Sequence, residues 1–251
     1  MVQKVESATL RERAYRAIKD SILRNELLPG EVLSIDSLAK ALGISQTPVR
    51  EALTKLSADG LVEYERNKGF RVASITEDDV HETYEVRRLL EPYAASLVAK
   101  KVSTDPSLER RLHELRKTAE TIQKLATGVK ALNPSQYEVY MGIDLRLHKI
   151  MLEAVGQSLL GSVLDLVGNH SLRIRSFAEA SSNHFDSEAI LTVTGEHLAI
   201  IEALLSQDPE SVQELVWQHL SNAEARTLRA ISNLAGGRGT GPKVRNNVGS
   251  F

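Results

Sequence analysis

From Thr9 to Arg24 the apolar residues Tyr15, Ile18, Ile22 and Leu23 recur at helical spacing, which predicts a first helix closed by Leu28-Pro29-Gly30. A second, short helix is predicted where Ser34 or Asp36 can cap a run through Leu38, Ala39 and Leu42, with Gly43 supplying the positive φ of a tight turn. A third starts at Ser45: Pro48 suits its first turn, Val49, Ala52, Leu53 and Leu56 form its apolar stripe, and Asp59-Gly60 ends it. The pattern then changes to that of strands. Leu61-Val62-Glu63-Tyr64 and Phe70-Arg71-Val72 flank Arg66-Asn67-Lys68-Gly69, which reads as a hairpin with a basic tip. Residues 1–75 are therefore expected to form a winged helix-turn-helix.

At Ile75-Thr76-Glu77-Asp78-Asp79 the pattern turns helical and stays so, with Thr76 as a cap and three acids that complement the helix dipole. Helices are predicted over 76–102, 105–127, 134–155, 157–180, 187–206 and 209–233, punctuated by Asp105-Pro106, Asn133-Pro134, Gly156, Ser181-Ser182-Asn183 and Asp208-Pro209. The fold class is mainly α: a winged helix-turn-helix, then an all-α antiparallel helical bundle over 76–233. Residues 234–251 carry Gly, Pro and cations with few apolar residues, so burial cannot offset their ordering entropy and a disordered tail is expected. Arg238, Lys243 and Arg245 in that tail are solvated cations, or else an auxiliary contact to nucleic acid.

Composition supports two domains: 251 residues exceed one typical domain, and 42% apolar content is ample for buried cores. With no cysteine, disulfides and thiolate ligands are excluded. Met1 to Arg24 is charged throughout and lacks the apolar run of a signal peptide or membrane span, so a cytoplasmic protein with no membrane partner is expected. The net charge of -2 hides an asymmetry, because residues 1–75 hold 12 Lys/Arg against 10 Asp/Glu while the remainder is acidic. The sign favours nucleic-acid contact by the N-terminal part, but the motifs carry the weight.

A recognition helix needs side chains in its first turn that reach base edges, and cations that hold phosphates in register. Ser45, Gln46, Thr47 and Arg50 meet that need; Arg50 can bind guanine or clamp a phosphate, and Gln46 can pair with adenine. Lys68 and Gly69 would bring a cation and close backbone approach to the minor groove. The competing reading is a small packing module with a charged, solvated face. Ser45-Gln46-Thr47-Pro48-Val49-Arg50-Glu51-Ala52-Leu53, Leu56, Gly60-Leu61 and Gly69 resemble the winged-helix domain of GntR-type bacterial transcription regulators over residues 9–74. The resemblance implies a homodimer on a palindromic double-stranded DNA operator. Gln46 stands where that family usually has Arg, so the usual guanine contact is not carried over.

In the second half, Asp144 and His148 are four apart on the helix 134–155, on one face with Tyr137, Met141, Leu152 and Val155, which is predicted to be the buried face. His197 lies on the stripe Ile190, Thr194, Ile201 and Leu204, and His219 on the stripe Val212, Val216 and Ala223, so both should point inward. Burying a carboxylate and three imidazoles separately requires a partner for each, whereas one divalent cation satisfies all four. His81, His113, His170 and His184 show no such pairing.

Residues 77–232 resemble the all-helical FCD effector domain of the FadR subfamily of GntR regulators. In its metal-binding branch the ligands follow Asp-x-x-x-His plus one His from each of two later helices, matched here by Asp144, His148, His197 and His219; Arg87 and Glu91 match its Arg-x-x-x-Glu. Gln157 departs from that domain's frequent Asn. The resemblance implies a small carboxylate effector on a divalent metal, Zn, Ni or another first-row transition metal, with Arg87 neutralising the acid and Asn169 and Arg173 as further candidates to line the cavity. The expected function is a ligand-responsive repressor whose DNA affinity is controlled by its effector. Competing readings are a sensor of a long acyl thioester, a metal-dependent hydrolase using the same ligands to activate water, and a purely structural metal. No His-Glu-x-x-His pattern or general base stands beside the ligands, which argues against an enzyme.

Overall fold

The computed structural model describes residues 9–156, 158–180 and 187–236. They fall into two compact units, the first running to Thr76 and including Leu172–Phe177, the second comprising the rest from Glu77. Gln157, His184 and the tail cations Arg238, Lys243 and Arg245 lie outside the described residues.

The first unit opens with α1 (Leu10–Leu23), where Thr9 and Glu12 form a reciprocal capping box that satisfies two main-chain donors. The strand β1 (Val32–Leu33), α2 (Ile35–Leu42), α3 (Gln46–Ala58), β2 (Val62–Glu65) and β3 (Gly69–Val72) follow. The strands form an antiparallel sheet in the order β1-β3-β2, with Val62 opposite Val72, Tyr64 opposite Phe70, and Leu33 on the other side of Phe70. The two-residue β1 was not foreseen, since alternation needs a longer run to show. The hairpin strands also sit one residue later and one earlier than expected, at 62–65 and 69–72.

The first core gathers Ile18 and Ile22 of α1, Val49, Ala52, Leu53 and Leu56 of α3, Leu61 just before β2, and Phe70 and Val72 of β3. This burial fixes which face of α3 turns outward, because its apolar stripe leaves Gln46, Thr47 and Arg50 exposed. The Tyr15 hydroxyl donates to Asp59 Oδ2 at 2.6 Å, tying the start of α1 to the end of α3. Gly43 ends α2 at φ 64°, ψ 33°, the left-handed conformation that lets the chain turn at once into α3.

The second unit contains α4 (Glu77–Lys101), a 3₁₀ turn (Val102–Thr104), α5 (Pro106–Ala126), α6 (Pro134–Val155), α7 (Leu159–Ala180), α8 (Ser187–Leu205) and α9 (Pro209–Gly236). Asp105 accepts from the Ser107 and Leu108 amides, and Asn133 forms a capping box with Gln136, so the two Pro-led helices start at satisfied termini. The pairs Glu77–Ser232, Tyr84–Thr227 and Arg88–Glu224 run in opposite chain directions, so α4 and α9 are antiparallel. The tail boundary moves: α9 continues through Gly236 instead of stopping at 233. Among the described residues no helix is long and apolar enough to cross a membrane.

The face assigned to α6 also needs correction. Its buried stripe is Ile143, Leu147, Ile150 and Met151, while Tyr137, Met141, Leu152 and Val155 are only partly covered. Asp144 and His148 therefore flank the core stripe instead of centring it, one helical step away, which leaves them partly open to a pocket.

Two glycine substitutions should move stability in opposite directions. Gly43→Ala meets no neighbour within 4 Å, so its whole cost is the left-handed backbone, about 1–2 kcal/mol of destabilisation. Gly195→Ala, inside α8 with equally open space, should stabilise by about 1 kcal/mol. Urea unfolding followed by circular dichroism checks both signs.

Candidate metal centre and nucleic-acid interface

Within the second unit, α6, α8 and α9 bring Asp144, His197 and His219 together, with one ligand atom from each lying within 4.8 Å of the others. His197 is 1% exposed and His219 7%, each on the buried stripe of its helix. Asp144 Oδ1 stands 3.4 Å from His197 Nε2 and 3.7 Å from His219 Nε2. These separations exceed an ordinary N–H···O bond of roughly 2.7–3.2 Å. They match donors that share one cation, since two ligand atoms each about 2.0–2.2 Å from an ion stand some 3–4 Å apart. Two imidazole nitrogens and a carboxylate oxygen suit a borderline first-row divalent ion, and three protein donors leave positions open on it.

His148, one turn along α6 from Asp144, lines the same pocket but does not join that three-residue cluster. Its Nδ1 is 3.6 Å from Glu91 Oε1, and both ring nitrogens are buried without a hydrogen-bond partner. The ring lies close against α7 at Gly168, where an added Cβ would stand 2.4 Å from His148 Nε2. An imidazole with two unsatisfied nitrogens beside a carboxylate-histidine cluster is a donor that a cation would satisfy. Of the four expected ligands, three are gathered and His148 lines the same pocket outside that cluster.

Arg87 of α4 borders the pocket and is 5% exposed. Its Nε donates to Glu91 Oε1 at 2.6 Å, its Nη2 to Glu91 Oε2 at 3.3 Å, and its Nη1 to Ser171 Oγ at 2.7 Å. Burial works against both charges, but the pairing wins: the Arg87 guanidinium lies above its ordinary value, and Glu91, held by Arg87 and His148, falls to about 2. The pocket itself, partly open, is walled by Leu147, Met151, Ile200 and Val216 between these polar groups.

Asn169 and Arg173, the other two cavity candidates, are placed elsewhere. Gly168 and Ser171 are the α7 residues that meet His148 and Arg87, and a helix turns their neighbours away from that line. Asn169 donates to Asp165 within α7 at 3.3 Å. Arg173 falls in the stretch of α7 that belongs with the first unit, where it donates to the Ala73 and Ser74 carbonyls at 3.2 and 3.0 Å.

Sequence reasoning missed Glu196. Its Oε2 accepts from His219 Nδ1 at 2.7 Å, Asn222 donates to its Oε1 at 2.8 Å, and Arg226 closes a bidentate pair at 3.0 Å on each oxygen. Although partial burial pushes the Glu196 carboxyl up, His219 and Arg226 hold it down to about 2. A carboxylate accepts only, so His219 keeps its proton on Nδ1 and turns Nε2 toward Asp144, the arrangement in which outer carboxylates orient metal-binding imidazoles. The available signal was the spacing of His219, Asn222 and Arg226 on one face of α9, which asks for a shared anion.

In the first unit Ser45, Gln46, Thr47 and Arg50 are all exposed at the start of α3. Ser45 is the N-cap with extended backbone but makes no side-chain capping bond. The wing tip turns through Asn67 at φ 69° and Gly69 at φ 87°. Lys68, 68% exposed, pairs with Glu65 at 2.7 Å, and its hydrogen bond holds the Glu65 carboxyl below its usual range. A pair so exposed is screened by solvent and holds weakly, so Lys68 can exchange Glu65 for a phosphate.

The Arg87–Glu91 pair yields a stability prediction. Glu91→Leu leaves a buried guanidinium uncompensated and should cost about 3–5 kcal/mol, whereas the double replacement Arg87→Met with Glu91→Leu should recover most of that loss. Denaturant unfolding of the single and double variants measures the difference; equal losses in both would contradict it.

Comparison with known proteins accounts for both units. The model of the bacterial regulatory proteins of the gntR family matches residues 10–72, and that of the FCD domain residues 82–222. The chain is 29% identical over 210 residues to the uncharacterized HTH-type transcriptional regulator YdhC of Bacillus subtilis (strain 168), covering 83% of this chain and 86% of that one. It is 24% identical over 211 residues to the HTH-type transcriptional repressor RspR of Escherichia coli (strain K12), covering 83% and 85%. Both relatives are regulators rather than enzymes. In fold it is similar to E. coli McbR/YncC, with a TM-score of 0.71 at 18% identity over 90% of this chain and 100% of that one. With the two models matched in chain order and the second spanning more than half of the sequence, the chain belongs to the GntR family of bacterial transcription regulators and carries an FCD domain.

Proposed function

We propose that this DNA-binding regulator is a repressor that binds a palindromic operator as a homodimer and is controlled by a small organic acid held at a divalent metal ion in the second unit. The observation that carries this reading is one pocket lined jointly by metal-compatible donors and a buried guanidinium: Asp144, His148 and His219 on one side, Arg87 on the other. Asp144, His197 and His219 would hold the ion, with His148 completing the set. The ion would supply Lewis-acid attraction for a carboxylate. This chain's own part is to fix His219 through Glu196, to exclude water with Leu147, Met151, Ile200 and Val216, and to present Arg87 to the far end of the acid.

Size argues against a long acyl thioester. The cavity between these groups is only about 10 Å³, room for an ion or a water and for no extended chain. The repressor sign draws on RspR, a relative named as one. Coupling requires only that the acid bind the two DNA-affinity states unequally, and typical couplings of 1–3 kcal/mol change operator affinity about 5- to 150-fold.

The test combines metal analysis with operator titration. Purified protein should carry close to one transition-metal ion per chain, and an ion at about a hundred times its Kd should raise stability by about 2.7 kcal/mol. Small dicarboxylates and hydroxy acids, screened by fluorescence anisotropy on operator DNA, should weaken binding only in the metal-loaded protein. His197→Ala and His219→Ala should abolish both metal uptake and that response. Chelation that lowers stability while the acid response persists would reduce the metal to a staple, and absence of sequence-preferring DNA binding under all conditions would end the proposal.

A further inference from the structure

The exposed start of α3 holds a side chain that the DNA-binding reading leaves unexplained. Gln46 is the first residue of that helix, and its Nε2 donates to Asp36 Oδ1, in the first turn of α2, at 2.5 Å. Asp36 therefore stands directly beside the residue that would face the bases. An acidic group there repels phosphate, so its position calls for a compensating role.

The orientation of the amide follows from chemistry. A carboxylate only accepts, so the Gln46 nitrogen must face Asp36. Of its two hydrogens, donation of the one anti to the carbonyl keeps Gln46 Oε1 farthest from the negative oxygens, and repulsion therefore favours that one for Asp36. What remains free is the carbonyl oxygen and the hydrogen beside it, an acceptor and a donor side by side. This is the pattern that complements adenine N6–H and N7 in the major groove, and it mismatches guanine, whose O6 and N7 both accept.

We infer that Asp36 is a specificity-determining positioning residue, which locks the Gln46 amide so that the operator base beneath the start of α3 is read as adenine. The inference rests on α3 entering the major groove by its N-terminal turn, as recognition helices do. Preorganisation explains why an acid is tolerated here: an unrestrained Gln samples rotamers and both amide orientations, whereas a tethered one meets the base already oriented.

The experiment selects bound duplexes from a randomised double-stranded DNA pool with the full-length protein, then measures each base preference by competition. The wild type should prefer adenine over guanine at one symmetric pair of positions, on the order of tenfold or more. Gln46→Ala should flatten those positions alone. Asp36→Ala should flatten the same positions while raising affinity for every sequence, because a negative charge leaves the interface. Asp36→Asn, which retains an acceptor without the charge, should restore the adenine preference, and a residue that merely supports α2 would show no such base-specific rescue. Unchanged preference in Asp36→Ala, or a wild-type preference for another base where Gln46→Ala acts, overturns the inference. A wild type with no sequence preference anywhere would instead remove the DNA-reading geometry on which it rests.

Discussion

Charge buried between helices must be compensated where it stands, and the second unit is organised around that constraint. Three carboxylates, Asp144, Glu91 and Glu196, are drawn in with two guanidiniums, Arg87 and Arg226, and three imidazoles. Glu91 is answered by Arg87 within one helix, and Glu196 by Arg226 and His219 across two. Asp144 faces imidazole nitrogens at 3.4 and 3.7 Å. With neutral imidazoles the cluster carries one net negative charge. A divalent cation leaves one net positive charge, which a single carboxylate ligand then balances. The proposed pairing of ion and acid is thus the combination that closes the local charge count, and either alone leaves a residue of charge in a poorly solvated place.

The elements were legible wherever local chemistry decides them. Pro106, Pro134 and Pro209 each follow an Asp or Asn, and the helices begin within a residue of those pairs because the cap and the missing N–H of proline act locally. Gly43 and the stripe of α3 fixed the helix-turn-helix in the same way. What escaped was set by tertiary packing. β1 exists because Leu33 can pair with Phe70 across the sheet, a contact that two residues cannot announce. The core stripe of α6 is one step off the polar face because Ile143, Leu147, Ile150 and Met151 outcompete the aromatic and long residues beside them.

The candidate site divides along the same line. Asp144 and His148 share a helix, and each later His sits on a visible apolar stripe, so their convergence could be anticipated from periodicity. Glu196 was harder to reach, because its partners His219, Asn222 and Arg226 lie on another helix and their shared face asks for an anion without saying which carboxylate supplies it. Asn169 and Arg173 show the converse error. Placing a polar residue on the right helix says nothing about its angle, and here the residues that meet the pocket groups are Gly168 and Ser171.

The two units also differ in how readily their polar contacts can be exchanged, and this assigns their roles. Lys68–Glu65 is exposed, so replacing Glu65 by a phosphate costs little and fits a surface meant to be traded for DNA. Arg87–Glu91 is buried, so an entering acid that simply displaced Glu91 would strand a carboxylate at a cost comparable to the gain. His148 removes that difficulty. In the proposed regulator His148, whose Nδ1 lies 3.6 Å from Glu91, would take up more of that charge as one guanidinium edge turned to the ligand. His148 would then be the adjustable member of the network, which is where a ligand-dependent change of state would cost least.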